Sequence, residues 1–187
     1  MIDTTDLRKN VKVTIDGYPY VVIEAQFVKP GKGQAFTRTK MKNMITGNML
    51  ERTYKTGERL EKADMEERSM QYTYMDGDMY VFMDVKNYEE VRITADQLGD
   101  NRLFLLDNVL CEVLFFDGKP IGITPPIFVE MDIIETEPGF KGDTSGNTTK
   151  PAKVTSGLII HVPLFVNQGE RVKIDTRTGE YVERVKK

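Results

Sequence analysis

The strongest constraint in this chain is its punctuation: short apolar or β-branched runs are cut off, again and again, by turns containing glycine. Val11, Val13 and Ile15 alternate with polar residues, and Asp16-Gly17 is a hairpin turn signal before the β-rich run 20–28. Pro30-Gly31-Lys32-Gly33 breaks the chain, an alternating pattern resumes over 35–44, Thr46-Gly47-Asn48 turns it, and 49–54 returns before Lys55-Thr56-Gly57-Glu58. Strands this short cannot leave their edges open. Five or so of them within about 60 residues predict a small barrel, in which the sheet closes on itself.

The same logic repeats downstream. Residues 70–75, a turn at Asp76-Gly77-Asp78 and residues 79–83 predict a hairpin, and 110–116 with the tight turn Asp117-Gly118-Lys119-Pro120 adds another strand. Only Ala95-Asp96-Gln97-Leu98 reads as a turn of helix, ahead of Phe104-Leu105-Leu106. After Pro125-Pro126, strands are expected over 128–135, 158–162, 171–174 and 181–185, the last two joined by the turn Asp175 to Glu180. The expectation is an all-β protein of three segments, 1–62, 63–128 and 129–187. No short-period sequence repeat links them.

Charge separates the segments more sharply than pattern does. The net charge of −3 hides 12 Lys/Arg against 7 Asp/Glu in residues 1–62, 5 against 13 in 63–128, and 9 against 9 in 129–187. A basic first segment suits a polyanion such as RNA, whereas an acidic middle one suits spacing better than contact with phosphates. The hydrophobic fraction of 40% supports a folded core. There is no apolar run approaching the roughly 18 residues of a membrane span and no basic-then-apolar leader, so a cytoplasmic protein without membrane contact is expected.

Chemistry-bearing residues are few. One cysteine, Cys111, excludes an internal disulfide and a multi-cysteine metal site, and one histidine, His161, has no second histidine with which to share a metal. Both read as structural strand residues, so no metal and no cofactor are expected. Glu66-Glu67 and Glu89-Glu90 are adjacent pairs that would face opposite sides of a strand, which suits solvated charge rather than acid–base work. Asn147-Thr148-Thr149 matches a glycosylation acceptor only formally.

The most informative stretch is Val28-Lys29-Pro30-Gly31-Lys32-Gly33-Gln34-Ala35-Phe36. Two glycines flank Lys32, and glycine tolerates backbone conformations that other residues avoid, so the chain can reverse there and offer one long cation at a hairpin tip. Pro30 fixes one dihedral and limits the loop's freedom. Exposed lysines on glycine turns are common, so this spacing alone favours an ordinary turn over a functional tip. A dinucleotide-binding reading fails, because Phe36 stands where the third glycine would fall and no helix follows. Gly142-Asp143-Thr144-Ser145-Gly146-Asn147 is a second polar loop, able to present amides and hydroxyls to a sugar or phosphate, or simply to turn the chain.

Taken together, Lys29 to Phe36, Arg38 and Lys40, the loop Gly142 to Asn147, Lys150-Pro151-Ala152, Val162-Pro163-Leu164-Phe165, and Asp175-Thr176-Arg177-Thr178-Gly179-Glu180-Tyr181 resemble the bacterial elongation factor P family. The likeness spans nearly the whole chain, with motifs in order in separate segments. It implies an SH3/KOW-like barrel followed by two OB-fold barrels in an L-shaped, tRNA-like outline. It further implies a monomer that binds the 70S ribosome between the P and E sites, contacting ribosomal RNA and P-site peptidyl-tRNA. By the same resemblance Lys32 lies at the tip and faces the acceptor end of that tRNA, within a loop made with Lys29, Pro30, Gly31, Gly33 and Gln34. Arg38, Lys40 and Lys42 are RNA-binding candidates, and Gly142, Asp143 and Thr144 would lie near the E site of the small ribosomal subunit. The family's tip residue is often enzymatically modified, so a lysine-modifying enzyme acting on Lys32 is an implied partner.

The implied role is positional. Proline's ring constrains φ and makes consecutive prolines poor at reaching the geometry of peptide transfer. A factor that orders the peptidyl-tRNA restores a productive approach, since orientation alone can be worth several kcal/mol of barrier. A lysine of ordinary basicity is a poor general base at neutral pH, so no enzyme activity is expected. Two other classes remain open on residues alone: a general RNA-binding OB protein, and an enzyme acting on a small polar substrate.

Overall fold

The computed structural model describes residues 1–139 and 148–186. Among them the regular structure is β-strand, apart from one short α-helix and two 3₁₀ turns. The chain forms two compact units, Met1–Arg68 with Leu114–Gly122, and Ser69–Val113 with Ile123–Lys187. The strands make three sheets of barrel-like form.

The first sheet contains β1 (Ile2–Asp3), β2 (Lys12–Ile15), β3 (Tyr18–Val28), β4 (Phe36–Asn43), β5 (Met49–Lys55) and β6 (Arg59–Lys62), in the order β1-β6-β2-β3-β4-β5. Its β2–β3 turn is Asp16-Gly17, with φ of +50° and +79°. Positive φ at both central residues is the twist that a two-residue hairpin needs. Alternation then sorts the side chains: Val13, Ile15, Val22 and Met41 point inward and join Leu7 and Tyr54 in one core. The sheet's outer ends are tied by Thr4, fully buried, whose hydroxyl donates to the Lys55 carbonyl (3.0 Å) and whose amide donates to the Glu58 carbonyl (3.1 Å). In the same unit Ala63, Phe116 and Ile121 form a smaller core with Met44, Met65 and Leu114.

The second sheet contains β7 (Met65–Asp76), β8 (Met79–Asp84), β9 (Glu90–Thr94), β10 (Leu110–Phe116) and β11 (Lys119–Thr124), in the order β11-β10-β7-β8-β9. The expected helical turn is present as α1 (Ala95–Leu98), closed by a capping box between Thr94 and Gln97. A 3₁₀ turn, Gly99–Phe104, follows it. The turn expected over Asp117 to Pro120 is tighter than that: Asp117 and Gly118, at φ of +48° and +76°, make it alone, and Lys119 already begins β11.

The third sheet contains β12 (Phe128–Thr136), β13 (Thr149–Val154), β14 (Ile159–Pro163), β15 (Arg171–Asp175) and β16 (Glu180–Val185), in the order β14-β13-β12-β15-β16. Its edges β14 and β16 lie against each other. Its core gathers Met131, Ile133, Val154, Ile160, Val162, Val172 and Ile174, with Phe104 packed in from the 3₁₀ turn. Pro151 lies inside β13, but the β12 partners stop at Thr136 opposite Ala152, so its missing N–H faces no β12 partner.

Met41 reaches 0% exposure at the middle of β4, beneath the strands that carry the tip. Truncating it leaves a cavity as well as lost burial, so Met41→Ala should cost about 2–5 kcal/mol, read as a lower urea midpoint with little change in slope.

Candidate functional site

The β3–β4 pairing runs from Tyr20 opposite Asn43 to Val28 opposite Phe36, and residues 29–35 form the loop beyond it. Lys32 is exposed at this tip, as are Lys29, Gly31, Gly33 and Gln34, while Pro30 is half-buried. The two glycines are not equivalent. Gly33 has φ of +106°, a conformation that side chains rarely adopt, and it sits against the Pro30 ring; Gly31 has an ordinary φ and open space around it. The reversal expected from both glycines therefore rests on Gly33. The far side of the loop is tied down: Gln34 Nε2 donates to the Thr56 carbonyl (3.3 Å), and the Thr56 amide and hydroxyl both donate to the Ala35 carbonyl (3.1 and 2.9 Å).

Below the tip, β4 alternates cleanly. Thr37, Thr39, Met41 and Asn43 are buried, and Arg38, Lys40 and Lys42 are exposed on the opposite face. The buried polar members are accommodated: Thr39 donates to the Arg52 carbonyl (2.8 Å), and the Asn43 side chain accepts from the amides of Ile45 and Thr46 (both 2.9 Å). Tyr54, opposite Thr37 on β5, is buried, and that burial pushes its phenol above the usual range.

The three cations of β4 differ electrostatically. Arg38 lies 5.4 Å from the centroid of the Phe36 ring, which directs its guanidinium back toward the tip. Lys40 stands opposite Glu24 on β3 and Glu51 on β5, with Nζ 3.7 Å from the Glu51 carboxylate. Its charge is locally offset. Lys42 faces Val21 and Met49 in register, so its charge has no carboxylate opposite it. The structure thus brings Lys29, Lys32 and Arg38 to one end of the hairpin, and Lys42 to the other end of the same strand.

Gly142, Asp143 and Thr144 lie outside the described residues. On the N-terminal side of that stretch, Gly139 approaches the Leu164 carbonyl too closely for any side chain. On its C-terminal side, Lys150 is buried and donates to the Glu137 carbonyl (2.5 Å). His161 faces outward on β14. Cys111 is buried, and burial pushes its thiol up to about 12, which disfavours the thiolate at neutral pH. Among the described residues no group of three or more His, Cys, Asp or Glu is placed to hold a metal, and no helix is long and apolar enough to cross a membrane.

One arrangement that the sequence does not announce lies in the third sheet. The Arg184 guanidinium sits 4.8 Å from the centroid of exposed Phe165 and bonds the Glu170 carboxylate (3.0 Å). That carboxyl is held below its usual range, chiefly by the Asn167 amide (2.6 Å) and then by Arg184. Phe165 and Tyr181 appear in sequence only as motif members; the pairing of Phe165 with Arg184 requires the fold.

The fold and the site define an all-β protein of small barrel-like modules whose basic first sheet projects a lysine-tipped hairpin. Family models match along the chain in order: the elongation factor P KOW-like domain over residues 3–60, the elongation factor P OB domain over 65–123, and elongation factor P, C-terminal, over 129–184. Elongation factor P of Desulfotalea psychrophila is 54% identical over 186 residues, covering 100% of both chains. Elongation factor P 2 of Geobacter sulfurreducens is 51% identical, again over 100% of both. Among solved structures, eukaryotic translation initiation factor 5A from Methanococcus jannaschii matches with a TM-score of 0.58 at 24% identity, over 66% of this chain and 91% of that one. That last likeness concerns the fold alone. The chain belongs to the elongation factor P family.

The inequality of the two tip glycines is testable. Gly33→Ala forces a strained φ and should shift the amide resonances of the whole 29–35 loop in a ¹H–¹⁵N spectrum, while Gly31→Ala should leave all but its immediate neighbours in place.

Proposed function

We propose that this protein is a non-enzymatic translation elongation factor that binds the ribosome between the P and E sites, positions P-site peptidyl-tRNA and stimulates peptide-bond formation at consecutive prolines. Membership of the family supplies the general role in translation elongation. The single observation that carries the finer reading is the tip: an exposed Lys32 at the end of a hairpin whose return side is hydrogen-bonded to the neighbouring turn. A cation held at a defined place can order a phosphate backbone at low entropic cost, and ordering is the assistance that consecutive prolines lack.

In this reading Lys32 lies toward the acceptor end of the tRNA and acts by charge and hydrogen bonding, with Lys29, Arg38 and Lys42 as further RNA contacts. Lys40 contributes less, because Glu24 and Glu51 face it. The ribosome supplies the catalysis. Lys32 is also the residue on which a lysine-modifying enzyme would act, its side chain being open to solvent at the tip. The working form is a cytoplasmic monomer of three domains, 1–62, 63–128 and 129–187, with Gly142, Asp143 and Thr144 toward the E site of the small ribosomal subunit.

Translation of a template with three consecutive prolines, in a purified system lacking the endogenous factor, tests this directly. The protein should relieve the stall while leaving a proline-free control unchanged, and Lys32→Ala should lower the rate of stall relief by about tenfold or more. Salt-sensitive binding to many RNAs without selective relief would instead favour a general RNA-binding protein.

A further inference from the structure

Two sets of hydrogen bonds meet at the β5–β6 turn, one from the buried core to Lys55 and Glu58 and one from the tip loop to the exposed residue between them, Thr56. On the core side, Thr4 is fully buried and bonds both ends of the β5–β6 turn, its hydroxyl to the Lys55 carbonyl (3.0 Å) and its amide to the Glu58 carbonyl (3.1 Å). Within the turn, the Glu58 amide donates to the Lys55 carbonyl (3.2 Å) and the Lys55 amide to the Glu58 carboxylate (3.2 Å). Gly57, at φ of +95°, lets the chain turn that tightly. On the tip side, Thr56 uses everything it has. Its amide and hydroxyl converge on one acceptor, the Ala35 carbonyl, and its own carbonyl accepts from Gln34 Nε2 (3.3 Å).

The Thr56 amide thereby carries the β4–β5 pairing one step beyond Phe36 opposite Lys55, and its hydroxyl adds a second bond to the same carbonyl. Ala35 and Gln34 are the residues through which the loop re-enters β4, and Gly33, at φ of +106°, precedes them. With Gly33 so permissive, the direction in which Lys32 leaves the hairpin depends on what holds Gln34 and Ala35. The β3–β4 ladder ends at Val28 and Phe36 and does not reach them. Thr56 does.

We propose that Thr56 is a positioning residue for the tip: its hydroxyl, added to the two backbone bonds at this position, latches the returning limb of the loop to the β5–β6 turn and so fixes the direction in which Lys32 is presented. The inference rests on the proposed function for its consequence in translation, but not for its consequence in the free protein. In this proposal Thr56 acts through the loop it holds and not by contact with tRNA. Its loss spares the ribosome-binding surfaces and loosens only the tip.

Two variants test it, Thr56→Val, which keeps the shape and removes the hydroxyl, and Thr56→Ser, which restores it. In the free protein, ¹⁵N order parameters at the Gly31 and Gly33 amides should fall in Thr56→Val and recover in Thr56→Ser. In tri-proline translation, Thr56→Val should lower the maximal rate of stall relief about threefold to tenfold, with the half-saturating protein concentration little changed, and Thr56→Ser should restore the rate. Unchanged tip order in Thr56→Val, or a serine variant no better than the valine one, overturns the latch. So does a loss that appears only as weaker ribosome binding. If the unsubstituted protein itself fails to relieve the stall, the proposed function falls, and the order parameters still decide whether Thr56 is a latch.

Discussion

The functional end of this molecule depends on the register between β3 and β4. That pairing runs unbroken in direction from Tyr20 with Asn43 to Val28 with Phe36, with one irregularity between Val22 and Glu24. Because side chains alternate along a strand, register decides everything about the face that β4 presents. A slip by one residue would turn Thr37, Thr39 and Met41 outward and carry Arg38, Lys40 and Lys42 into the core. The buried pair of Val22 and Met41, both at 0% exposure, opposes that slip, since exposing apolar surface and burying charge would both be costly.

Electrostatics then grades what the register displays. The first segment carries 12 Lys/Arg against 7 Asp/Glu, but the excess is not spread evenly over the hairpin. Around Lys40 the strands supply Glu24 and Glu51, whereas the tip itself holds Lys29 and Lys32 within a loop that contains no acidic residue. The result is a cationic end on a more balanced stem. Such an arrangement favours a phosphate-rich partner approaching along the hairpin axis over one lying flat against the sheet.

Much of the fold could be read in the sequence, because hairpin chemistry is local. Asp16-Gly17 and Asp117-Gly118 both take the positive φ values that their composition suggests, and Ala95–Leu98 is helical because Thr94 and Gln97 cap it. What escaped were strands whose residues lack a local signature. Arg59–Lys62 is largely charged, Glu90–Thr94 alternates over only five residues, and Thr149–Val154 contains Pro151; each is a strand because its neighbours supply the ladder. The long strand Met65–Asp76 extends well before the run 70–75 that alternation predicts, through the polar stretch Glu66-Glu67-Arg68. At the site, Lys32 and its glycines were legible as a tip, but the inequality of Gly31 and Gly33 was not, since composition cannot distinguish a glycine at φ of +106° from one at ordinary φ. The Thr56 latch and the Phe165–Arg184 pair depend on contacts between residues far apart in sequence, which only the folded chain creates.

The central claim is that the lysine tip reaches the acceptor end of P-site tRNA, and a site-specific crosslink tests it most directly. Gly31 is the position for the probe, because a side chain built there meets nothing within 4 Å and its φ requires no glycine. With a photoreactive Gly31→p-benzoylphenylalanine protein bound to ribosomes stalled on consecutive prolines, the account predicts crosslinks concentrated at the 3′ acceptor end of the peptidyl-tRNA. Crosslinks that instead scatter over ribosomal RNA, or fall on the small ribosomal subunit while the acceptor end stays unlabelled, would contradict it.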